Sequence, residues 1–99
     1  MNWRDIPTPE YGNYGGGYNT DENFLKSPID EMDAYFKLHD LHLKHSKSKL
    51  QRYLADSTLF FNLKSVNLNN LKHPIYGRLY WLGALVAFGI IHSFGKPSE

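Results

Sequence analysis

The stretch SPIDEMDAYFKLHDLHLKH, Ser27 to His45, carries the periodicity on which the fold turns. At 100° per residue, Met32, Tyr35, Phe36 and Leu43 fall within about 60° of His39, so an imidazole sits at the centre of an apolar stripe. Ser27 can cap such a helix and Pro28 suits its first turn. Asp30 and Glu31 then fall where the positive end of the helix dipole favours carboxylates. The spacing predicts a helix over 28–45 with His39 at least partly buried.

A polar turn, HSKSK, separates this helix from a second periodic run, Lys49 to about Val66. There Tyr53, Leu59, Phe60 and Leu63 surround Asp56, which places a carboxylate at the centre of a stripe as well. A buried carboxylate without a partner costs roughly several kcal/mol, so Asp56 requires one. If the helices form an antiparallel hairpin about Lys47 and Ser48, His39 and Asp56 are equidistant from the turn and face one another. Such a couple has two readings. It is either a core hydrogen bond between mutually satisfied polar groups, or a general base whose second ring nitrogen is held by a carboxylate.

Composition bounds the rest. Ninety-nine residues, 41% of them apolar, make one small domain with room for two or three helices and none for a large sheet. The expected class is therefore mainly α. A net charge of +1 with both signs along the chain argues against nucleic acid as a partner. No cysteine is present, so there are no disulfides or thiolate metal sites, and nothing ties the chain to an oxidising compartment. The start, MNWRDIPTPEYGN, lacks the apolar core of a signal peptide, which leaves the location open. Residues 1–27 read as a loop-rich N-terminal arm, 28–66 as the helical hairpin, and 67–99 as a loop followed by a helix over Tyr76 to Phe94.

Asp40 adjoins His39 but points about 100° away, at the edge of the stripe beside Asp33, where it can reach a cation. The glycine run YGNYGGGYN, Tyr11 to Asn19, can bring backbone carbonyls to the same place. Carbonyl oxygens plus a carboxylate suit a hard cation such as calcium. Zinc on His39, His42 and His45 is disfavoured, because His45 lies about 120° from His39 around the helix. No G-x-S-x-G elbow supplies a serine nucleophile, and no Gly-Lys-Ser/Thr follows the glycine run to make a phosphate loop. Lys44, Lys47, Lys49 and Arg52 crowd the hairpin tip, as a solvated turn or a contact for anionic lipid heads.

YGNYGGG, PIDEMDAYFKLHD and ADSTLFF, within residues 11–63, resemble the calcium loop, the P-x-D-x-x-D-x4-H-D helix and the catalytic aspartate helix of the secreted-type phospholipase A2 superfamily. The compact spacing and the lack of cysteine are most similar to the domains carried by some virus capsid proteins and by related bacterial and phage proteins. The resemblance implies a small phospholipase A2-like fold: a calcium loop, two antiparallel helices carrying the His–Asp couple, and a third apolar helix. It implies Ca2+-dependent hydrolysis of the sn-2 ester of glycerophospholipids at a membrane surface. His39 would be the base and Asp56 its orienter, with Asp40 the calcium carboxylate and Tyr14, Gly16 and Tyr18 the carbonyl donors. Gly15 and Phe36 stand where secreted relatives place a disulfide. Tyr18 replaces a usual glycine. Leu43 replaces a tyrosine that bonds the catalytic aspartate, leaving Tyr53 and Tyr35 as alternative sources of that hydroxyl. The alternative is a relative without turnover, a lipid-binding or membrane-perturbing module of a virion or larger assembly.

LYWLGALVAFGII, Leu79 to Ile91, lies outside these motifs and carries no charge. As a helix it would be about 20 Å long, against a bilayer core of roughly 30 Å, which argues against a simple span. It is expected to pack under the hairpin while leaving apolar surface for a lipid interface, for self-association or for docking to a larger assembly.

Overall fold

A computed structural model describes residues 9–16 and 24–98 of the chain. It holds three α-helices, α1 Glu31–His45, α2 Lys49–Lys64 and α3 Pro74–Phe94, with a 3₁₀ turn at Leu68–Asn70. The fold is small and mainly helical; among the described residues the pairing of Tyr11 with Gly15 is an isolated bridge, and no strand forms.

α1 starts three residues later than the periodicity predicts. Its cap is Asp30, whose side chain accepts the Asp33 N–H at 2.9 Å, and Ser27 lies outside the helix. Aspartate caps as well as serine, a contribution of about 1 kcal/mol. Pro28 and Ile29 are left to fold back, so that the Ile29 N–H reaches the Asp33 carboxylate at 3.0 Å. Ser48 caps α2 by accepting the Gln51 N–H. α2 ends at Lys64, and Val66 turns into the core. α3 opens on Pro74, two residues before Tyr76, because proline at the first helical position gives up no hydrogen bond. That extension makes α3 21 residues long, enough by length and composition to cross a membrane, where the charge-free stretch alone is too short.

α2 packs against both α1 and α3. The core joins Met32 and Phe36 of α1, Leu59 and Leu63 of α2, Val66 and Leu71 of the following loop, and Tyr11 and Tyr14 of the N-terminal turn. α3 covers this core incompletely. Its one buried residue is Gly77, while Tyr80, Trp81, Ala84, Leu85 and Phe88 press on the core partly exposed. The Trp81 indole donates to the Leu63 carbonyl at 2.6 Å, which also accepts the Val66 N–H at 3.3 Å, so α3 is tied to the end of α2.

Candidate functional site

The N-terminal turn is built on backbone bonds between Tyr11 and Gly15, N–H to O at 3.0 Å and 2.8 Å. It is clamped to α1 by two carboxylates. Asp33 is fully buried; one oxygen accepts the Tyr14 N–H at 2.9 Å, and the other accepts the N–H groups of Asn13 and Ile29, both at 3.0 Å. Asp33 is therefore an anchor for the turn. Asp30 accepts the Tyr11 hydroxyl and, at 2.9 Å, the Lys72 N–H, so one cap residue ties the turn, α1 and the approach to α3 together. Burial, and then the bond to Asp30, raise the Tyr11 phenol well above its usual range. The Tyr14 hydroxyl donates to the Lys26 carbonyl at 2.6 Å. In a chain without cysteine these bonds do the stapling.

The clamp dictates glycine at Gly12. Its φ is +59°, and a Cβ there would lie 2.5 Å from the Asp33 carboxyl carbon. Gly16, with φ +98°, would bring a Cβ within 2.7 Å of the Pro9 carbonyl oxygen.

His39 and Asp56 meet as the hairpin geometry requires. The His39 Nε2 lies 2.7 Å from Asp56 Oδ1, with His39 buried and the Asp56 side chain about one-fifth exposed. A carboxylate on Nε2 selects the tautomer that carries its proton there and leaves Nδ1 with a lone pair. Nδ1 is 3.9 Å from Asp40 Oδ1. The Phe88 ring meets the imidazole edge to face, centroids 5.1 Å apart, which fixes the imidazole from the side of α3.

His39 and Asp40 open onto an apolar cleft of about 750 Å3 between α1, α3 and the N-terminal turn, lined also by Tyr14 and Gly16. The structure thus brings Tyr14, Gly16, His39 and Asp40 to one cavity, with Asp56 behind the imidazole. Tyr18 lies outside the described residues. Among the described residues no three His, Cys, Asp or Glu side chains cluster to hold a metal, so a cation here would depend on backbone carbonyls beside Asp40. Tyr53 does not supply the hydroxyl missing at Leu43: it donates to the His92 carbonyl at 2.6 Å.

The far wall was not foreseen in the sequence. Tyr76, Tyr80, Gly83, Ala84, Ala87 and Phe88 of α3 line it. The recurrence of aromatic rings at 76, 80 and 88 is the one signal that points to it, since positions four apart share a helix face. Tyr80 packs edge-on against Phe36. Its phenol is pushed up to about 12, chiefly by burial, so it stays neutral and keeps this wall uncharged.

No family model, curated protein or solved structure matches the chain in any of the three comparisons.

Proposed function

We propose that the chain is a calcium-dependent hydrolase of the phospholipase A2 type, cleaving the sn-2 ester of glycerophospholipids. The observation that carries this reading is the 2.7 Å His39–Asp56 couple on the wall of an apolar cleft. A structural pair would need no cavity; a base for a lipid ester needs one. Asp40, Tyr14 and Gly16 line the same cleft, and a carboxylate with backbone carbonyls is the donor set a hard cation takes, which fits calcium. When bound, calcium would supply positive charge to the ester carbonyl oxygen.

The chemistry of the chain's own residues follows from the tautomer. His39 Nδ1 accepts a proton from water as the water oxygen bonds to the ester carbonyl carbon. Asp56 holds the imidazole and stabilises the imidazolium, without itself taking the proton. The Gly16 amide is the chain's own donor for the carbonyl oxygen. Collapse breaks the bond to the glycerol oxygen, which takes the proton back from His39, leaving a fatty acid and a lysophospholipid. Tyr80, Ala84 and Phe88 exclude bulk water around the acyl chain.

The test is fatty-acid release from mixed liposomes with calcium and with chelator. Release at the sn-2 position that chelator abolishes supports the reading. Release indifferent to chelator removes calcium from it. Absence of release from a folded chain that still binds the liposomes favours a lipid-binding module without turnover.

A further inference from the structure

Three glycines lie within α3, and packing requires two of them. A Cβ on Gly77 would stand 2.9 Å from the Leu71 side chain and 3.1 Å from the Tyr11 hydroxyl, and one on Gly89 would stand 3.0 Å from the Phe60 ring. Gly83 is different. Nothing lies within 4 Å of a Cβ built there, and its backbone is helical with no positive φ. Glycine in a helix interior is less stable than alanine, because folding fixes a freer backbone. Neither packing nor backbone geometry therefore calls for glycine at this position. What its smallness leaves is open space, and Gly83 lines the cleft.

The place of that space along the cleft bears on what fills it. The His39 imidazole meets the ring of Phe88, the last α3 residue on the cleft wall, and Tyr76 is the first. Most of the wall thus extends to one side of the imidazole, about 18 Å along the helix axis. Gly83 stands about 7.5 Å from Phe88 on this scale, between Leu79 and Ala87 in a row of residues four apart. Among the described residues no lysine, arginine or glutamate lines the cleft, and its carboxylate, Asp40, adjoins His39 in the chain. A cavity with a base and a carboxylate toward one end and a long apolar wall beyond them suits a ligand with one polar head and one extended hydrocarbon chain.

We propose that Gly83 is a specificity-determining residue of the cleft: the space it leaves lets a long unbranched acyl chain run on past the His39 end, and a side chain there would stop the chain short. The inference rests on the hydrolytic reading for the ester at the head, and it deepens that reading by naming long-chain esters as the substrates. Each methylene that leaves water for an apolar site adds up to about fourfold in affinity, so chain length is a sensitive measure of how far the channel stays open.

Titration calorimetry with n-alkylphosphocholines from hexyl to dodecyl, below their micelle thresholds, tests it on single chains that have no ester to cleave. The parent should bind more tightly with each added methylene. G83L should match it for the hexyl compound and then gain nothing, a loss of at least about tenfold for the dodecyl compound. G83A should raise the thermal midpoint by about 4 °C, as a helical glycine that serves no packing allows. Should G83L not fold, G83C modified after folding with a benzyl thiosulfonate, in a chain with no other cysteine, should show the same cut-off. A folded G83L or modified G83C chain that follows the parent through the whole series overturns the proposal. So does a G83A chain less stable than the parent, which makes the glycine structural, or a parent whose affinity does not rise with chain length, absence of binding included. A parent that shows the cut-off and yet releases no fatty acid from liposomes removes hydrolysis and leaves the role of Gly83 in place, so the two failures are told apart.

Discussion

Gly12 lies against the Asp33 carboxylate, so close that a Cβ at Gly12 would stand 2.5 Å from its carbon. The turn and the helix are one unit, joined by a buried acceptor that three backbone N–H groups share. Gly12→Ala meets both the positive φ and this contact, and Asp33→Ala orphans the donors, each costing about 1–3 kcal/mol when buried. Both should lower the denaturation midpoint by the equivalent of about 3 kcal/mol or more, while Asp33→Asn, which keeps an acceptor, should lose less. Urea unfolding followed by circular dichroism measures this; an Asp33→Ala variant as stable as the parent would refute the clamp.

The His39–Asp56 couple separates base from scaffold. His39→Gln keeps a hydrogen-bonding side chain of similar reach but cannot take the proton, so turnover should fall by roughly 10² to 10⁴ with helix content retained. Asp56→Asn leaves the imidazole present, loses tautomer control and imidazolium support, and should cost less. Initial rates of fatty-acid release, paired with far-ultraviolet spectra, decide. Two folded variants that hydrolyse lipid like the parent would make the couple structural.

How legible this arrangement is from sequence depends on what carries the information. The three helices and the facing of His39 and Asp56 follow from side-chain periodicity and the position of one turn, both local properties. Asp30 and Asp33 are different: apart from the Tyr11 hydroxyl on Asp30, their partners outside α1 are backbone N–H groups of Asn13, Tyr14, Ile29 and Lys72, which no side-chain pattern marks. The start of α1 shifts for the same reason, since Ser27 and Asp30 are equivalent caps until the turn selects Asp30. α3 is apolar nearly all round, so apart from the aromatic recurrence at 76, 80 and 88 its periodicity does not say which side faces the cleft. Tyr53 stands one turn from Asp56 on α2, yet its hydroxyl goes to α3, because α2 packs on both neighbours.

Asp40 is the one carboxylate lining the cleft among the described residues. With backbone carbonyls as the other ligands the site carries little negative charge, and calcium should bind toward the weak end, with a Kd of roughly 10⁻⁴ to 10⁻³ M. Asp40→Asn retains shape and removes the charge, so calcium binding and lipid hydrolysis should disappear together while the thermal midpoint stays near the parent's. Titration calorimetry of both chains with calcium is the measurement. Undiminished binding by the asparagine variant would move the cation elsewhere.

Tyr80 gives the fold an alkaline limit. Its phenol, at about 10 in the unfolded chain, is pushed up to about 12 in the fold, first by burial and then by the phenol and carboxylates around it. Between those values the unfolded chain has lost the proton while the folded chain keeps it, so the unfolded state binds fewer protons and stability falls as pH rises. The contribution is present in full below about pH 10 and is lost through the window up to about pH 12. Tyr11, raised in the same direction, adds to the slope. Tyr80→Phe keeps the ring against Phe36 and gives up a long 3.3 Å bond to the Pro9 carbonyl. At neutral pH it should therefore cost less than about 1 kcal/mol. Every other ionisable group is common to both chains, so the difference between them isolates the phenol. The thermal midpoint of the parent should drop more steeply above about pH 10 than that of the variant, and the two curves should converge or cross. Parallel curves would mean that the Tyr80 hydroxyl reaches water in the fold and that the cleft wall it forms is wetter than the packing indicates.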